Sequence, residues 1–185
     1  MALKSTVFKA EIQVADMDRH HYATYALTLA RHPSENDQRM MVRLLAFVLH
    51  ADEALQFGRG LSTEDEPDLW QKDLTGAIAL WIDVGQPDEK EIRKACGRAA
   101  QVAVLTYGGP VAEVWWEKNR SRLERIDNLT VLNLATDKTA ALAGLAARSM
   151  TLQATIEDGA VLLTGEGQAI DVHPTRLKTA RVGVY

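Results

Sequence analysis

The N-terminal segment of the chain alternates between apolar and polar side chains. Four apolar side chains share one face of this segment: Phe8, Ala10, Ile12 and Val14. The positions between them carry charged or amide side chains. This period of two predicts a half-buried strand, and a similar pattern with β-branched residues predicts a second strand over 21–31.

The apolar period changes to that of a helix after residue 33. Apolar side chains recur at helical spacing along the next segment: Met40, Met41, Leu44, Leu45, Val48 and Leu55. Ser34 is a suitable N-cap, and Gly58 and Gly60 are suitable terminators. We therefore expect a helix over 34–56 that packs on a sheet through Met40, Leu44, Leu45 and Val48.

The rest of the chain reads as strands and helices in alternation. Strands are predicted over 68–72, 77–84, 102–107, 129–134, 151–156, 161–164 and 170–173. Helices are predicted from Gln86, from Gly108 and over 136–148, and the second of these is expected to turn Val111, Val114 and Trp115 inward. The order predicts an α/β (α+β) fold, a single mixed β-sheet with flanking helices.

Composition narrows the class of protein. The 185 residues suit a single domain over 1–185, and 46% hydrophobic with 25% charged residues excludes disorder as the default state. No apolar run reaches the length of a membrane span, and the N-terminus lacks the apolar core of an export signal. The single cysteine, Cys96, fits a reducing compartment, so we expect a cytoplasmic protein without membrane contact.

The net charge of −4 and the pI of about 5.7 argue against a surface coated in basic charge. They leave room for a local basic track or for a metal that bridges to phosphate. Nucleic acid or another protein therefore remains a possible partner, and no motif for a small-molecule cofactor is present.

The most informative segment is an acidic hairpin around the turn candidate Thr75-Gly76. With a two-residue turn, Asp68 lies directly opposite Asp83, with Cβ atoms about 4.5–5.5 Å apart. A four-residue turn places Glu66 opposite Asp83 instead. A three-residue turn moves Asp68 to the other face of the hairpin.

Two carboxylates at this spacing repel each other unless a cation lies between them, one is protonated, or both are well solvated. The first case predicts a site for Mg²⁺ (or Mn²⁺) with Asp68, Asp83 and Glu66 as ligands, where a metal-bound water attacks a phosphodiester. The other reading is a solvated acidic loop that leads into an edge hairpin.

Pro67-Asp68, fourteen further residues and then Asp83-Val84-Gly85 resemble the motif of PD-(D/E)xK nucleases. Longer segments resemble the YaeQ family of small bacterial proteins, among them LTLARHPSENDQRMMVRLLAF, LQFGRGLSTEDEPDLW and LWIDVGQPDEKEIRKAC. The resemblance implies a restriction-endonuclease-like αβββαβ core with extra N- and C-terminal strands. It also implies a comparable acidic cluster.

One position departs from the nuclease motif, because Gly85 stands where the catalytic lysine belongs. Lys72, on the strand of Asp68, and Gln86, next to the acids, are the candidates to orient water in its place. The resemblance implies that Glu35 completes the catalytic set. Arg39 and Arg43 follow on the same helical stripe as Glu35, where they either bind phosphate or pair with Glu35.

Two functions remain open from the sequence. The first is a metal-dependent nuclease that hydrolyses phosphodiesters. The second is a catalytically degenerate nuclease fold that binds protein or nucleic acid as a regulatory module. The intact acids favour the first, and Gly85 with the acidic pI favours the second.

Overall fold

The computed structural model describes residues 4–59 and 65–181 of the chain. This part forms eleven strands and four helices. The strands are β1 (Thr6–Asp16), β2 (His21–Arg31), β3 (Leu55–Phe57), β4 (Leu69–Lys72), β5 (Ile78–Val84), β6 (Ala99–Tyr107), β7 (Leu129–Leu134), β8 (Ser149–Glu157), β9 (Ala160–Gly165), β10 (Gln168–Val172) and β11 (Thr175–Lys178). The helices are α1 (Asp37–Leu49), α2 (Glu89–Arg98), α3 (Pro110–Leu123) and α4 (Thr136–Ala143). None of the described helices is long and apolar enough to cross a membrane.

The strands form two mixed sheets, so the prediction of a single mixed β-sheet is wrong. The first sheet has the order β10-β9-β8-β1-β2, and the second has the order β11-β7-β6-β5-β4-β3. In the first sheet β1 runs antiparallel to β2 and parallel to β8, with Lys9 opposite Ser149. In the second, β5, β6 and β7 are parallel neighbours. The fold is thus a mixed α+β architecture.

Two sheets are needed because α1 is buried on all sides. Every residue from Met40 to Val48 is almost completely buried. One hydrophobic cluster joins α1 to Phe8 and Ile12 of the first sheet and to Ile82 and Leu105 of the second. A single sheet covers only one side of a helix, and the N- and C-terminal strands supply the second cover.

The opposite face of the second sheet carries a second, smaller core. Trp81 and Val104 from the sheet pack there with Ile92 of α2 and Trp116 of α3. Successive strand residues point to opposite faces. Side chains in β5 and β6 therefore alternate between the α1 side and the α2–α3 side, and this alternation decides where the acids of β5 point.

Helix α1 is shorter than the predicted range 34–56. Its N-cap is Asn36, whose side chain accepts the backbone N–H of Arg39 at 2.9 Å. Ser34 instead bonds to the ring of His32, so it is not available as the cap. The helix ends at Leu49, and Leu55 is buried in the short strand β3. The apolar character of Leu55 therefore serves a strand, while the proposed terminator Gly60 lies outside the described residues.

Helix α3 presents the opposite face to the one predicted. Val111 and Val114 are 63% and 69% exposed, while Trp116 and Leu123 are buried. The buried stripe contains the large ring of Trp116, which removes more apolar area from water than either valine. Trp115 stays half-buried because its indole N–H donates to the carbonyl oxygen of Pro87 at 2.8 Å.

The side chain of Leu44 is 0% exposed at the centre of α1. We expect Leu44→Ala to lower the free energy of unfolding by about 2–5 kcal/mol, the cost of a cavity in a core. Val114→Ala on the exposed face of α3 is the control and should change it by less than about 0.5 kcal/mol. Chemical denaturation of both variants checks this, and similar values would contradict the central position of α1.

Candidate acid–arginine site

The candidate site lies where α1 begins and where β5 and β6 end. Asp83 is the penultimate residue of β5, and Tyr107 is the last residue of β6. Glu35 lies just before Asn36, the N-cap of α1, and Asp68 directly precedes β4. The carboxyl ends of parallel strands are the usual position of binding sites in open α/β sheets.

The β4–β5 hairpin contains two irregularities, a three-residue loop and a bulge, whose effects on the strand register cancel. Its tip is a three-residue loop, because the N–H of Asp73 donates to the carbonyl oxygen of Ala77 at 2.9 Å and Lys72 pairs with Ile78. Lys72 therefore does not pair with Ala79, the partner that the predicted two-residue turn would give it. A bulge then restores the register, so that Trp70 pairs with Trp81 as predicted for a two-residue turn. Asp68 consequently meets Asp83 at the end of the hairpin.

The carboxylate of Asp68 is occupied by protein donors. Its Oδ2 accepts the backbone N–H of Val84 at 2.8 Å. Asp68 lies just before the first residue of β4. Its side chain therefore accepts the hydrogen bond from β5 that a backbone carbonyl of a longer β4 would accept. Arg39 Nη2 donates to Oδ1 and Oδ2 of the same carboxylate at 2.8 and 3.1 Å.

Glu35 belongs to a buried ion-pair network. Arg43 Nε and Nη2 donate to its two oxygens at 2.7 and 2.8 Å, and Arg39 Nη1 donates at 3.1 Å. Arg43 also donates to the carbonyl oxygen of Ala30 at 3.0 Å. Arg39 thus bridges Glu35 and Asp68. Burial lowers the pKa of the Arg39 guanidinium, but the charges of Asp68 and Glu35 outweigh burial and raise it. Both arginines pair with acids, as one of the two sequence readings stated.

Asp83 is the carboxyl with the most altered acidity. Its Oδ2 accepts the indole N–H of Trp81 at 2.8 Å, which places it on the α2–α3 side of the sheet. Burial, followed by the negative charge of Asp68, raises the pKa of Asp83 to about 6, although hydrogen bonds from Trp81 and from the Asp68 backbone oppose the rise. A carboxyl with this pKa changes its protonation state near neutral pH.

The remaining predicted residues lie apart from this network. Glu66 accepts the backbone N–H of Arg59 at 3.0 Å and pairs with the guanidinium of the same residue. The Lys72 ammonium lies 3.8 Å from the ring centre of Trp70. Gln86 donates to the hydroxyl of Thr106 at 2.8 Å and to the Tyr107 carbonyl, so it is fixed to the end of β6.

The three predicted ligands Asp68, Asp83 and Glu66 do not form one cluster. Across residues 4–59 and 65–181, no group of three or more His, Cys, Asp or Glu side chains is arranged to hold a metal ion. Tyr107 is the residue that sequence reasoning missed. Burial raises its pKa, and the charges of Arg39, Glu35 and Asp68 act on it. The sequence feature that could have indicated Tyr107 is its position at the end of an apolar strand, directly before Gly108-Gly109.

A basic groove runs between α2 and α3 on the neighbouring surface. It has a volume of about 530 Å³ and is lined by Glu89, Lys90, Arg93, Lys94 and Arg122. Glu89 pairs with Arg93 and lies 4.0 Å from Arg122, which holds the two helices together. Lys94 also pairs with Asp65 at 3.1 Å, and the lining of four cations and one acid still leaves the groove net positive, although the whole chain carries −4.

The protein is of a class of α+β proteins with two mixed sheets around one buried helix. An acid–arginine network lies at the start of that helix. The chain belongs to the YaeQ family, whose sequence profile, described as YaeQ protein, matches residues 1–174. It is 47% identical to the uncharacterized protein YaeQ of Escherichia coli strain K12 over 175 residues, which cover 95% of this chain and 97% of that protein. It is 48% identical, with the same coverage, to YaeQ of Salmonella typhi.

Solved structures of the family have the same fold. The crystal structure of YaeQ from Xanthomonas axonopodis pv. citri matches with a TM-score of 0.92 and 49% identity, over 94% of this chain and 98% of that one. The structure of YaeQ from Pseudomonas syringae matches with a TM-score of 0.91 and 35% identity, over 96% and 98%. The two-sheet arrangement is thus shared by these YaeQ proteins.

The raised pKa of Asp83 gives a stability prediction with a definite sign. The carboxyl is harder to ionise in the folded protein than in the unfolded chain, where its pKa is about 3.9. The native protein should therefore lose stability as the pH rises from about 4 to about 6. We expect Asp83→Asn to be more stable than the native protein above pH 6, by up to about 3 kcal/mol, and to show no such gain below pH 4. Denaturation across this pH range measures it.

Asp73→Asn is the matched control for this experiment. Hydrogen bonds from Thr75 lower the pKa of Asp73 in the exposed hairpin loop, so this substitution should lower stability at neutral pH. A loss of stability in Asp83→Asn at neutral pH would contradict the assignment of Asp83 as a destabilising buried charge.

Proposed function

We propose that this protein binds nucleic acid on a nuclease-like fold and that its acid cluster serves as a structural ion-pair network. The element order α1-β3-β4-β5-α2-β6 corresponds to the αβββαβ order of PD-(D/E)xK nucleases, which supports the nuclease-like part of the proposal. The proposal corresponds to the second of the two functions that the sequence leaves open.

The contacts of the acids favour a structural role over metal binding. Mg²⁺ binds through carboxylate oxygens, and those of Asp68 and Glu35 already accept charged hydrogen bonds from Arg39 and Arg43, with which a metal would compete. A metal on Glu35 would displace Arg43, which is 2% exposed. Removal of one partner from a buried ion pair costs about 3–5 kcal/mol, because the other charge stays buried without compensation.

The groove between α2 and α3 is the observation that carries the binding proposal. Lys90, Arg93 and Lys94 lie at spacings i, i+3 and i+4 on α2, so they share one helix face, and Arg122 faces them from α3. Cationic side chains on both walls of a groove suit a phosphate backbone. The half-buried Trp115 fixes α3 against the start of α2, so the groove has a rigid frame.

The test is fluorescence anisotropy with labelled single- and double-stranded oligonucleotides over a range of salt concentrations. We expect Lys90→Gln/Lys94→Gln to weaken binding and to reduce the slope of log affinity against log salt by about 2, one for each lost phosphate contact. Neither lysine is needed to hold the buried Glu89, so the variant should stay folded.

The control removes the same charge outside the groove, with Lys118→Gln/Arg120→Gln on α3. It should retain the native affinity and salt slope. Equal losses in the two double variants would mean that binding follows net charge alone. Absence of binding by the native protein at low salt would overturn the proposal.

Metal-dependent cleavage is the second candidate, and the position of Asp83 beside Asp68 favours it. We expect no cleavage that depends on Asp83, because the other acids are occupied by arginines. Native protein and Asp83→Asn, purified identically, should show equal residual cleavage of DNA and RNA with Mg²⁺, Mn²⁺ or Ca²⁺.

Cleavage by the native protein with Mg²⁺ or Mn²⁺, lost in Asp83→Asn, would establish a nuclease instead. The assay needs long incubations, because the lysine of the motif is missing. Loss of one such electrostatic donor typically costs about 10²–10³ in rate.

A further inference from the structure

A second site lies at the opposite end of α1 from the acid–arginine network. It is a cleft of about 1060 Å³ between the two sheets. Leu49 and His50 at the end of α1 line it, as do Gln101 and Thr130 near the starts of β6 and β7. Helix α1 has 13 residues, so the cleft and Glu35 are about 20 Å apart. The cleft is therefore separate from the acid–arginine network, and it shares no lining residue with the groove between α2 and α3.

The walls of the cleft are mainly apolar. They include Leu80, Val102, Leu132 and Ile156, which come from both sheets. About half of the lining residues are polar or charged, although most of the lining surface is apolar. Sites for small molecules combine apolar walls with polar groups that fix the orientation of the ligand, and volumes of about 300–1,000 Å³ are typical. The size and lining of this cleft therefore suit an organic molecule rather than a single ion.

His50 lines the cleft and has a hydrogen-bond acceptor on its ring. Its Nδ1 lies 3.0 Å from the carbonyl oxygen of Ala46, to which only an N–H can donate. The proton is thereby assigned to Nδ1, and Nε2 keeps its lone pair. Burial lowers the pKa of His50, and the positive charges of Arg19 and Arg176 lower it further, against the opposing effects of the Ala46 hydrogen bond and of Asp16. This shift favours the neutral ring.

The carboxylates around the cleft are mostly engaged by nearby donors. Asp16 accepts Nε of Arg19 at 2.6 Å, and Asp18 accepts the backbone N–H groups of Asp158 and Gly159, each at 2.8 Å. Asp52 accepts the backbone N–H of Ala54 at 2.8 Å. The fourth carboxylate, Asp158, lies in the β8–β9 turn of the first sheet.

The free cation of the cleft comes from the other wall. Arg176, on β11 of the second sheet, lines the cleft and forms no ion pair with any residue that the structure describes. A negatively charged group bound at Arg176 would lie across the cleft from Asp158. His50 can accept a hydrogen bond from the same molecule.

We propose that this cleft binds a small organic anion, whose apolar body packs between the sheets and whose carboxylate, sulfonate or phosphate group pairs with Arg176. The anionic group fixes the orientation of the bound molecule, and the apolar walls provide most of its contact area. The charge of Arg176 should therefore discriminate between charged and uncharged molecules of the same shape.

The experiment uses two fluorescent probes, anilinonaphthalene sulfonate and its uncharged analogue phenylnaphthylamine, titrated against the full chain. We expect saturable binding of the sulfonate, one molecule per chain. Arg176→Gln should weaken it about tenfold, which corresponds to about 1.4 kcal/mol, and should leave the uncharged probe unchanged. Arg125→Gln, which removes an exposed arginine outside the cleft, is the control and should change neither probe.

Gln101→Trp tests the position of the site, because a larger side chain at this half-buried position fills the cleft without removing a core residue. It should abolish the binding of both probes while thermal unfolding remains cooperative. The proposal is overturned if the native protein shows no saturable sulfonate binding, if Gln101→Trp binds normally, or if Arg176→Gln affects the two probes equally.

Discussion

The buried guanidinium of Arg43 is the constraint on which the arrangement of this protein depends. Arg43 lies inside a helix that is covered by sheets on both sides, and its side chain is 2% exposed. A cation in such a position requires a paired anion and further hydrogen bonds. Glu35 supplies the anion through two hydrogen bonds, and the carbonyl oxygen of Ala30 accepts a third. The end of β2, the turn before α1 and the helix are thereby fixed relative to one another.

Arg39 carries this constraint from α1 to the second sheet. One turn before Arg43, it donates to both Glu35 and Asp68, and Asp68 accepts the backbone N–H of Val84. Two acids and two arginines balance in charge, so the cost of burial is shared over a connected network. Because α1 runs between the sheets, the same helix brings His50 to the inter-sheet cleft at its other end. One helix therefore positions both sites.

Local patterns predicted the elements well and the long-range pairing poorly. A two-residue turn at Thr75-Gly76 gives the same register of Trp70 with Trp81 that the structure has, but the three-residue loop and the bulge that compensates for it left no mark in the sequence. The division into two sheets depends on β1 pairing with β8, about 140 positions along the chain, which no local period reveals. The face of α3 was misjudged because Val111 and Val114 have the same apolar character as the buried stripe.

The sequence predicts that Asp68 and Asp83 lie side by side, but spacing alone cannot show which other side chains contact them. Asp68 and Asp83 do meet, but the positive charge that holds Asp68 comes from Arg39, 29 positions earlier. Gly85 has a similar backbone explanation. Its φ of +95° strains any residue with a side chain, while its N–H donates to the carbonyl oxygen of Leu105 at 2.8 Å. A lysine at position 85 would oppose the backbone bend that joins β5 to the loop before α2. The local chain path and the arginine network therefore both favour a cluster balanced by protein cations.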